Sequence, residues 1–368
     1  MLRNLLIPEV HNTMRDTLEK VLTEILTKKQ NFVVWGAGQT GIETLKFIDS
    51  YTNGQLTPKY VVDNNPSLWG SNQIVSPDTF FSDKDSIDSI LVCVYVADQV
   101  IRQLKQNGYQ GQIIPVSMSL FAIDNEALQF YDENMDNIEK MYDILADDRS
   151  RETVVTFMNV LRSGDICLWD KVNGDSTLKL LDPDVLDFSH QDHFVDVGAF
   201  TGDTIKKFVE LCNGQYLSIL GFEPDDHNFS AIQAYVQNNQ LVNTHILKMA
   251  AGATSGTAFF TNNVSESCSL STSGIEIPIT TLDNLSEAQN TSLLKISANG
   301  YDLDVIKGAK NLIRNNKPQI ATYAKNHLLW QVPFYLKQLV PEYEIYYRHY
   351  GIGRQAMICY AKVRGNNK

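Results

Sequence analysis

At 368 residues the chain exceeds one ordinary hydrophobic core and predicts two domains. Its 43% hydrophobic and 20% charged residues are ordinary globular composition, with ample apolar material to bury. A formal net charge of −12 without a dense Lys/Arg run argues against a nucleic-acid partner, and no apolar run approaches the roughly 20 residues of a membrane span.

The N-terminal 30 residues read as an amphipathic helix rather than a secretory signal, with Met14, Leu18, Val21, Leu22 and Ile25 at helical spacing. Residues 31–122 then alternate strand and helix. Predicted strands begin at Asn31, Lys59, Ser89 (running to Tyr95) and Gln112, with a helix over 40–51 and another over 100–106. That rhythm predicts a parallel sheet with helices on its faces. Residues 123–185 carry helical periodicity over 138–145 and 153–161 and read as a helical connector. From 186 to 368 the β/α rhythm resumes. Strands are expected near Phe194, Ser218, Thr244, Leu293 and Gln319, with helices over 204–211, 228–238, 304–314 and 332–339. Residues 257–260 and 277–281 are more β-like. A terminal hairpin is expected at 344–350 and 355–363, turning through Gly351, Ile352 and Gly353.

Five scattered cysteines without a CxxC pair read as buried free thiols in a reducing compartment, with no metal site. The glycosylation sequons at Asn228, Asn263 and Asn290 read as chance matches.

Two glycine loops carry the chemistry. In the first, Gly36, Gly38 and Gly41 fit G-x-G-x-x-G between a strand and a helix, and Asp63 ends the next strand. Glycines there allow a tight turn and close approach to a phosphate, and the acid suits a ribose hydroxyl. With about four strands, only one mononucleotide half is present. The loop either packs a Rossmann-like module or forms a second site for a nucleotide or nucleotide-sugar. This region, with Val62-Asp63-Asn64-Asn65-Pro66, resembles the small N-terminal domain of bacterial sugar acyltransferases and related glycan-modifying enzymes.

The second loop, Asp196 to Thr204, has Asp-x-Gly-x-x-x-Gly spacing through Gly198 and Gly202, followed by Asp203. Glu223 and Pro224 end the next strand. S-adenosylmethionine (SAM) has an amino-acid end and an adenosine but no pyrophosphate. A glycine bend lets backbone lie against it, and an acid at the second strand end accepts from both ribose hydroxyls. The pair predicts SAM binding.

These motifs, with Ala250-Ala-Gly252, Thr281-Leu-Asp283, Leu294-Lys-Ile, Gly300, Gly308-Ala and Trp330-Gln-Val-Pro-Phe, make residues 180–362 resemble FkbM-family methyltransferases. The resemblance implies a class I, Rossmann-like α/β domain that transfers a methyl group from SAM to a hydroxyl, often on a sugar or secondary metabolite. The family usually carries Lys-Ile-Asp-x-Glu-Gly where this chain reads Lys295-Ile-Ser297-Ala298-Asn299-Gly300. It often has a histidine where Ala324 follows Tyr323. Ser297 and Asn299 are poor bases. The remaining candidates for a catalytic base are His349, Asp302 and His327, with His349 preferred because imidazole titrates near neutrality. Asp302 and Asp304 also fit the first turn of a helix without catalysis.

Two functions follow. One is a cytoplasmic SAM-dependent O-methyltransferase acting on a sugar hydroxyl in glycan biosynthesis. The other is a catalytically weakened SAM-binding partner in a glycan-modifying pathway. An NAD(P)-dependent oxidoreductase built on the first loop is a weaker third. Assembly into a homo-oligomer is compatible with either main reading.

Overall fold

The computed structural model describes residues 2–71, 73–94, 97–116, 124–261, 269–271, 275–351 and 356–365. Tyr95, Asn263, Ile352 and Gly353, named above, lie outside the described residues, as does one of the five cysteines, Cys268. The chain divides into two compact units, both discontinuous in sequence. The first holds Met1–Asn134, Glu152–Ser176 and His349–Ala356; the second holds Met135–Arg151, Thr177–Arg348 and Met357–Lys368.

The first unit opens on α1 (Thr13–Lys28), capped by the Asn12 side chain, which accepts from the Arg15 N–H. All five residues of its predicted apolar stripe are buried. There follow β1 (Phe32–Trp35), α2 (Gln39–Thr52), β2 (Val61–Val62), β3 (Ile74–Val75), α3 (Pro77–Asp83), β4 (Ser89–Val92), α4 (Ala97–Gln106) and β5 (Gln112–Pro115). The sheet order is β3-β2-β1-β4-β5, and every pairing is parallel. The sequence predicted four of these strands. β3 is two apolar residues, Ile74 and Val75, set between polar and turn-forming neighbours; its pairing with β2 makes it a strand. Trp35 packs edge-on against Phe80, with ring centroids 5.5 Å apart, in a core that includes Val33, Val62, Ile90 and Leu104.

Three helices come next: α5 (Asn125–Glu133), α6 (Met135–Asp143) and α7 (Asp148–Ser163). The predicted connector is helical, and its residues are shared between the two units.

The second unit holds β6 (His193–Val197), α8 (Asp203–Leu211), β7 (Ser218–Phe222), α9 (Asp226–Asn238) and β8 (Thr244–Leu247). Then come β9 (Ala250–Ala251), β10 (Gly256–Thr261), β11 (Ser269–Ser271) and β12 (Ile275–Thr280), which form a separate small sheet ordered β11-β10-β12-β9. The chain continues through β13 (Leu293–Ile296), α10 (Asp302–Gly308), α11 (Lys310–Asn316), β14 (Gln319–Tyr323), α12 (Leu328–Leu339), β15 (Tyr343–His349) and β16 (Met357–Val363). The main sheet runs β15-β16-β14-β13-β6-β7-β8. Its pairings from β14 to β8 are parallel, and β16 runs antiparallel to β14. This is the parallel sheet closed by a terminal hairpin that the sequence predicted. The central strands are buried along almost their whole length, as a sheet covered on both faces requires.

The single helix expected over 304–314 is two helices. The Asp283 carboxylate accepts the N–H groups of Asn311 and Leu312, each at 2.9 Å, and so caps a fresh start at α11. Gly308, at the end of α10, lies where a Cβ would come 1.9 Å from the Gly252 carbonyl oxygen. These contacts give Gly252, Asp283 and Gly308 a structural reason each.

Pro333 sits inside α12 and lacks the N–H that would bond the carbonyl four residues back. That carbonyl, of Leu329, instead accepts the Tyr347 hydroxyl at 2.5 Å, so no buried acceptor is left bare. Four described cysteines are free thiols; Cys93, Cys212 and Cys359 are buried as expected, but Cys167 is exposed.

Candidate functional site

The second glycine loop leaves the carboxyl end of β6, an interior strand of the main sheet between β13 and β7. Ligands of open α/β sheets gather at this edge. Asp196 is fully buried between Val195 and Val197, a costly place for a carboxylate unless it is compensated. The compensation is Lys295 on the neighbouring strand, in register with it, whose Nζ lies 2.7 Å from Asp196 Oδ1. Lys295 also donates to the Gly198 carbonyl at 2.7 Å. The ion pair is close but misaligned for hydrogen bonding, and neither Asp196 oxygen receives a well-directed hydrogen bond among the described residues. Burial pushes the Asp196 carboxyl above the ordinary carboxylate range, and Lys295 opposes the rise. Lys295 was missed as a site residue. The available signal was a lysine inside the apolar run Leu293–Ile296.

Gly198 has φ +73°, and a Cβ there would meet the Ser297 carbonyl oxygen at 2.2 Å. Only glycine lets the loop cross the end of β13 this closely. Phe200 also adopts a left-handed backbone, φ +51°, and leaves its side chain partly exposed. Gly202, φ +89°, opens α8 as an N-cap without a side-chain hydrogen bond. Asp203 is exposed in the first turn and Thr204 is buried behind it.

Glu223, at the end of β7, turns back over this loop. Its Oε2 accepts the Phe200 N–H at 2.8 Å and its Oε1 accepts the Asp225 N–H at 3.0 Å. Burial raises the pKa of its carboxyl, against the two backbone donors that favour the ionised form. Pro224 half-lines a cavity of about 180 Å³ bounded also by Asp225, Lys248 and residues Ile275, Ile277 and Pro278. Asp225 itself caps α9 through the Asn228 N–H at 2.9 Å.

The next strand end carries the departure noted in the sequence. Asn299, φ +49°, and Gly300, φ +102°, both take left-handed backbone after Ser297. Asp302 is fully buried and accepts from Gly300 N–H at 3.0 Å, Ala298 N–H at 3.4 Å and Thr322 Oγ1 at 2.9 Å. Its pKa is raised by burial, with those donors opposing. Asp304, two residues on, pairs with Lys307 at 2.9 Å.

The structure thus gathers Asp196, Gly198, Gly202, Glu223 and Asp302 at one edge of the second unit's sheet. His349 is counted with the first unit. There it is fully buried, its ring stacked on Trp169 with centroids 3.4 Å apart and planes 2° apart, and its Nδ1 lies 2.6 Å from Asn173 Oδ1. His327 is exposed, one residue before α12.

In the first unit, Gly36 has φ +115° and a Cβ on Gly41 would come 1.9 Å from the Gly36 carbonyl, so both serve close packing of β1 and α2. Gly38 faces open space. Asp63 repeats the Glu223 pattern: it accepts the N–H groups of Ala37 and Asn65, each at 2.8 Å.

The fold and this edge define a class I methyltransferase domain. Residues 196–353 match the family model of the methyltransferase FkbM domain, so this part of the chain is an FkbM methyltransferase domain. The crystal structure of methyltransferase FkbM from Methylobacillus flagellatus KT is similar over 95% of this chain and 99% of that one, with a TM-score of 0.61 and 17% identity. A precorrin-6y C5,15-methyltransferase from Geobacter metallireducens GS-15 matches 51% of this chain and 85% of its own, with a TM-score of 0.33 and 13% identity. A SAM-dependent methyltransferase from Aquifex aeolicus matches 54% and 98%, with a TM-score of 0.32 and 14% identity. No protein of curated function matches in sequence. No helix among the described residues is long and apolar enough to cross a membrane.

Proposed function

We propose that the domain binds SAM across Asp196, Gly198, Gly202 and Glu223 and methylates a sugar hydroxyl of a glycan or its precursor. The observation that carries this reading is the Glu223 carboxylate. A carboxylate offers about four lone-pair directions. One on each oxygen is taken by a backbone N–H, so each oxygen keeps one for a ribose hydroxyl. Asp196 supports the amino-acid end, since a buried carboxylate short of hydrogen bonds suits an ammonium. The loop Asp203–Thr204 and Pro224 complete the candidate contacts.

SAM supplies an electrophilic methyl group on a sulfonium. As the new O–CH3 bond forms, the S–CH3 bond breaks, its electron pair stays on sulfur, and the acceptor's hydroxyl proton passes to a base or to water. Ser297 and Asn299 can orient a hydroxyl by hydrogen bonding. Asp302 holds the 298–300 loop through the N–H groups of Ala298 and Gly300, which makes it a positioning residue for that strand end. His349 remains the sequence's candidate base. A loss of turnover in His349→Asn with SAM affinity intact would support it, and unchanged turnover would remove it.

We assign the protein to the cytoplasm, where SAM is made. Calorimetric titration of SAM into the wild type and Glu223→Ala tests the reading. Binding lost in the variant supports it; no binding to a folded wild type removes it. SAM binding without transfer to any sugar would favour the weakened-partner alternative.

A further inference from the structure

Phe200 stands where neither local conformation nor packing calls for an aromatic residue. Its φ of +51° is left-handed backbone, which a β-carbon disfavours and which glycine or asparagine accepts more readily. Among the described residues it is the one aromatic in that conformation. The ring gains little burial in return: Phe200 is 43% exposed, while Ala199 beside it is sealed. The conformation is imposed from β7. The N–H groups of Gly198 and Ala199 both donate to the Phe222 carbonyl, at 3.0 and 2.9 Å, and the Phe200 N–H donates to Glu223 Oε2 at 2.8 Å. The Gly202 N–H then closes a turn onto the Ala199 carbonyl at 2.9 Å. The backbone at residue 200 is therefore held from both sides.

That tether also sets what the residue can reach. A ribose hydroxyl bonded to the same Glu223 oxygen would lie no more than about 7 Å from the Phe200 Cα, from ordinary bond and hydrogen-bond lengths. A phenylalanine ring spans much of that gap. The loop itself begins at Asp196, the proposed partner of the ammonium. In SAM the sulfonium joins the ribose to the amino-acid chain, so it falls between these two anchors, and Phe200 lies on the segment that runs from one to the other. A ring face attracts a cation within about 6 Å of its centroid, more strongly where water is excluded. An exposed ring on strained backbone at a ligand-binding loop fits a contact that the ligand completes.

We propose that Phe200 contacts the bound cofactor with its ring face turned to the sulfonium, so that the site holds the charged donor SAM more firmly than the neutral product, S-adenosylhomocysteine. This deepens the SAM-binding reading and rests on it. Binding covers the exposed ring. Once the methyl group has left, the sulfur is neutral, the attraction to the ring is lost, and the product leaves more readily than the donor.

The test uses the full-length protein and calorimetric titration of both compounds. Phe200→Leu keeps apolar bulk and removes the ring face. SAM should bind it about tenfold more weakly than the wild type, and S-adenosylhomocysteine about twofold or less. Phe200→Tyr should keep the wild-type ratio of the two affinities. Phe200→Asn suits left-handed backbone but has no ring. It should unfold at no lower denaturant than the wild type and yet lose about tenfold of SAM affinity, a split that a merely structural residue would not give. Equal losses for the two compounds in Phe200→Leu, or SAM affinity unchanged in Phe200→Asn, overturn the proposal. Failure of either compound to bind the folded wild type overturns the SAM reading itself, so the two failures are told apart.

Discussion

Lys295 and Asp196 stand opposite each other on adjacent parallel strands, 2.7 Å apart and both nearly sealed from solvent. Lys295 also grips the Gly198 carbonyl, so one ammonium ties the acidic strand end to the glycine loop. Removing one partner leaves a bare buried charge. Lys295→Met should cost about 3–5 kcal/mol in chemical denaturation. The double variant Lys295→Met/Asp196→Leu should lose less than the sum of the two single changes. Additive losses would show that the two groups do not act as a pair.

Glu223→Gln keeps the side chain's size but turns one acceptor into a donor facing the Phe200 or Asp225 N–H. SAM affinity should fall by about 1.5–3 kcal/mol, the range for hydrogen bonds to a charged group. Calorimetry checks it, and undiminished affinity would take Glu223 out of the site.

The pH dependence has a definite sign. Burial raises the Glu223 carboxyl, so on acidification it takes up a proton before an ordinary glutamate does. The protonated acid loses an acceptor for the ribose hydroxyls. SAM affinity should therefore be full at neutral pH and decline on acidification while exposed glutamates are still ionised. Titrations across that range in wild type and Glu223→Gln test it: the decline should be larger in the first, since in the second only Asp196, whose carboxyl burial also raises, still titrates.

Gly198 and Gly300 both have positive φ but differ in what surrounds them. Gly300→Ala should cost about 1–2 kcal/mol for left-handed backbone alone, since no atom lies within 4 Å of its Cβ position. Gly198→Ala carries the same strain plus a Cβ 2.2 Å from the Ser297 carbonyl oxygen, which backbone cannot yield cheaply. It should unfold at lower denaturant than Gly300→Ala and lose SAM binding.

Restoring the family's acids separates the two functional readings. Asn299 has φ +49°, a conformation asparagine tolerates better than glutamate, so Asn299→Glu should destabilise by about 1 kcal/mol. If the protein is an active enzyme, Ser297→Asp/Asn299→Glu should not raise turnover. A rise of about a hundredfold, the scale of general-base catalysis, would instead identify a weakened partner.

Much of this was legible in the amino-acid order because it is local. A β-branched run ending in glycine, an acid at the next strand end and an apolar stripe at helical spacing each depend on a few consecutive residues. They located both glycine loops, Glu223, α1 and the terminal hairpin. β3 escaped because Ile74 and Val75 stand between polar and turn-forming residues, with no longer apolar run around them. The break between α10 and α11 escaped because its cap, Asp283, comes from far along the chain.

By itself, then, the sequence determined the order of strands and helices and the residues that a SAM-type loop requires, since backbone geometry and side-chain alternation follow from near neighbours. Tertiary structure alone decided which charges meet. Lys295 faces Asp196 across about a hundred residues of chain, Lys179 and Lys325 close on Tyr323, and His349 lies flat on Trp169. Such pairings depend on sheet order and register, which no single segment encodes.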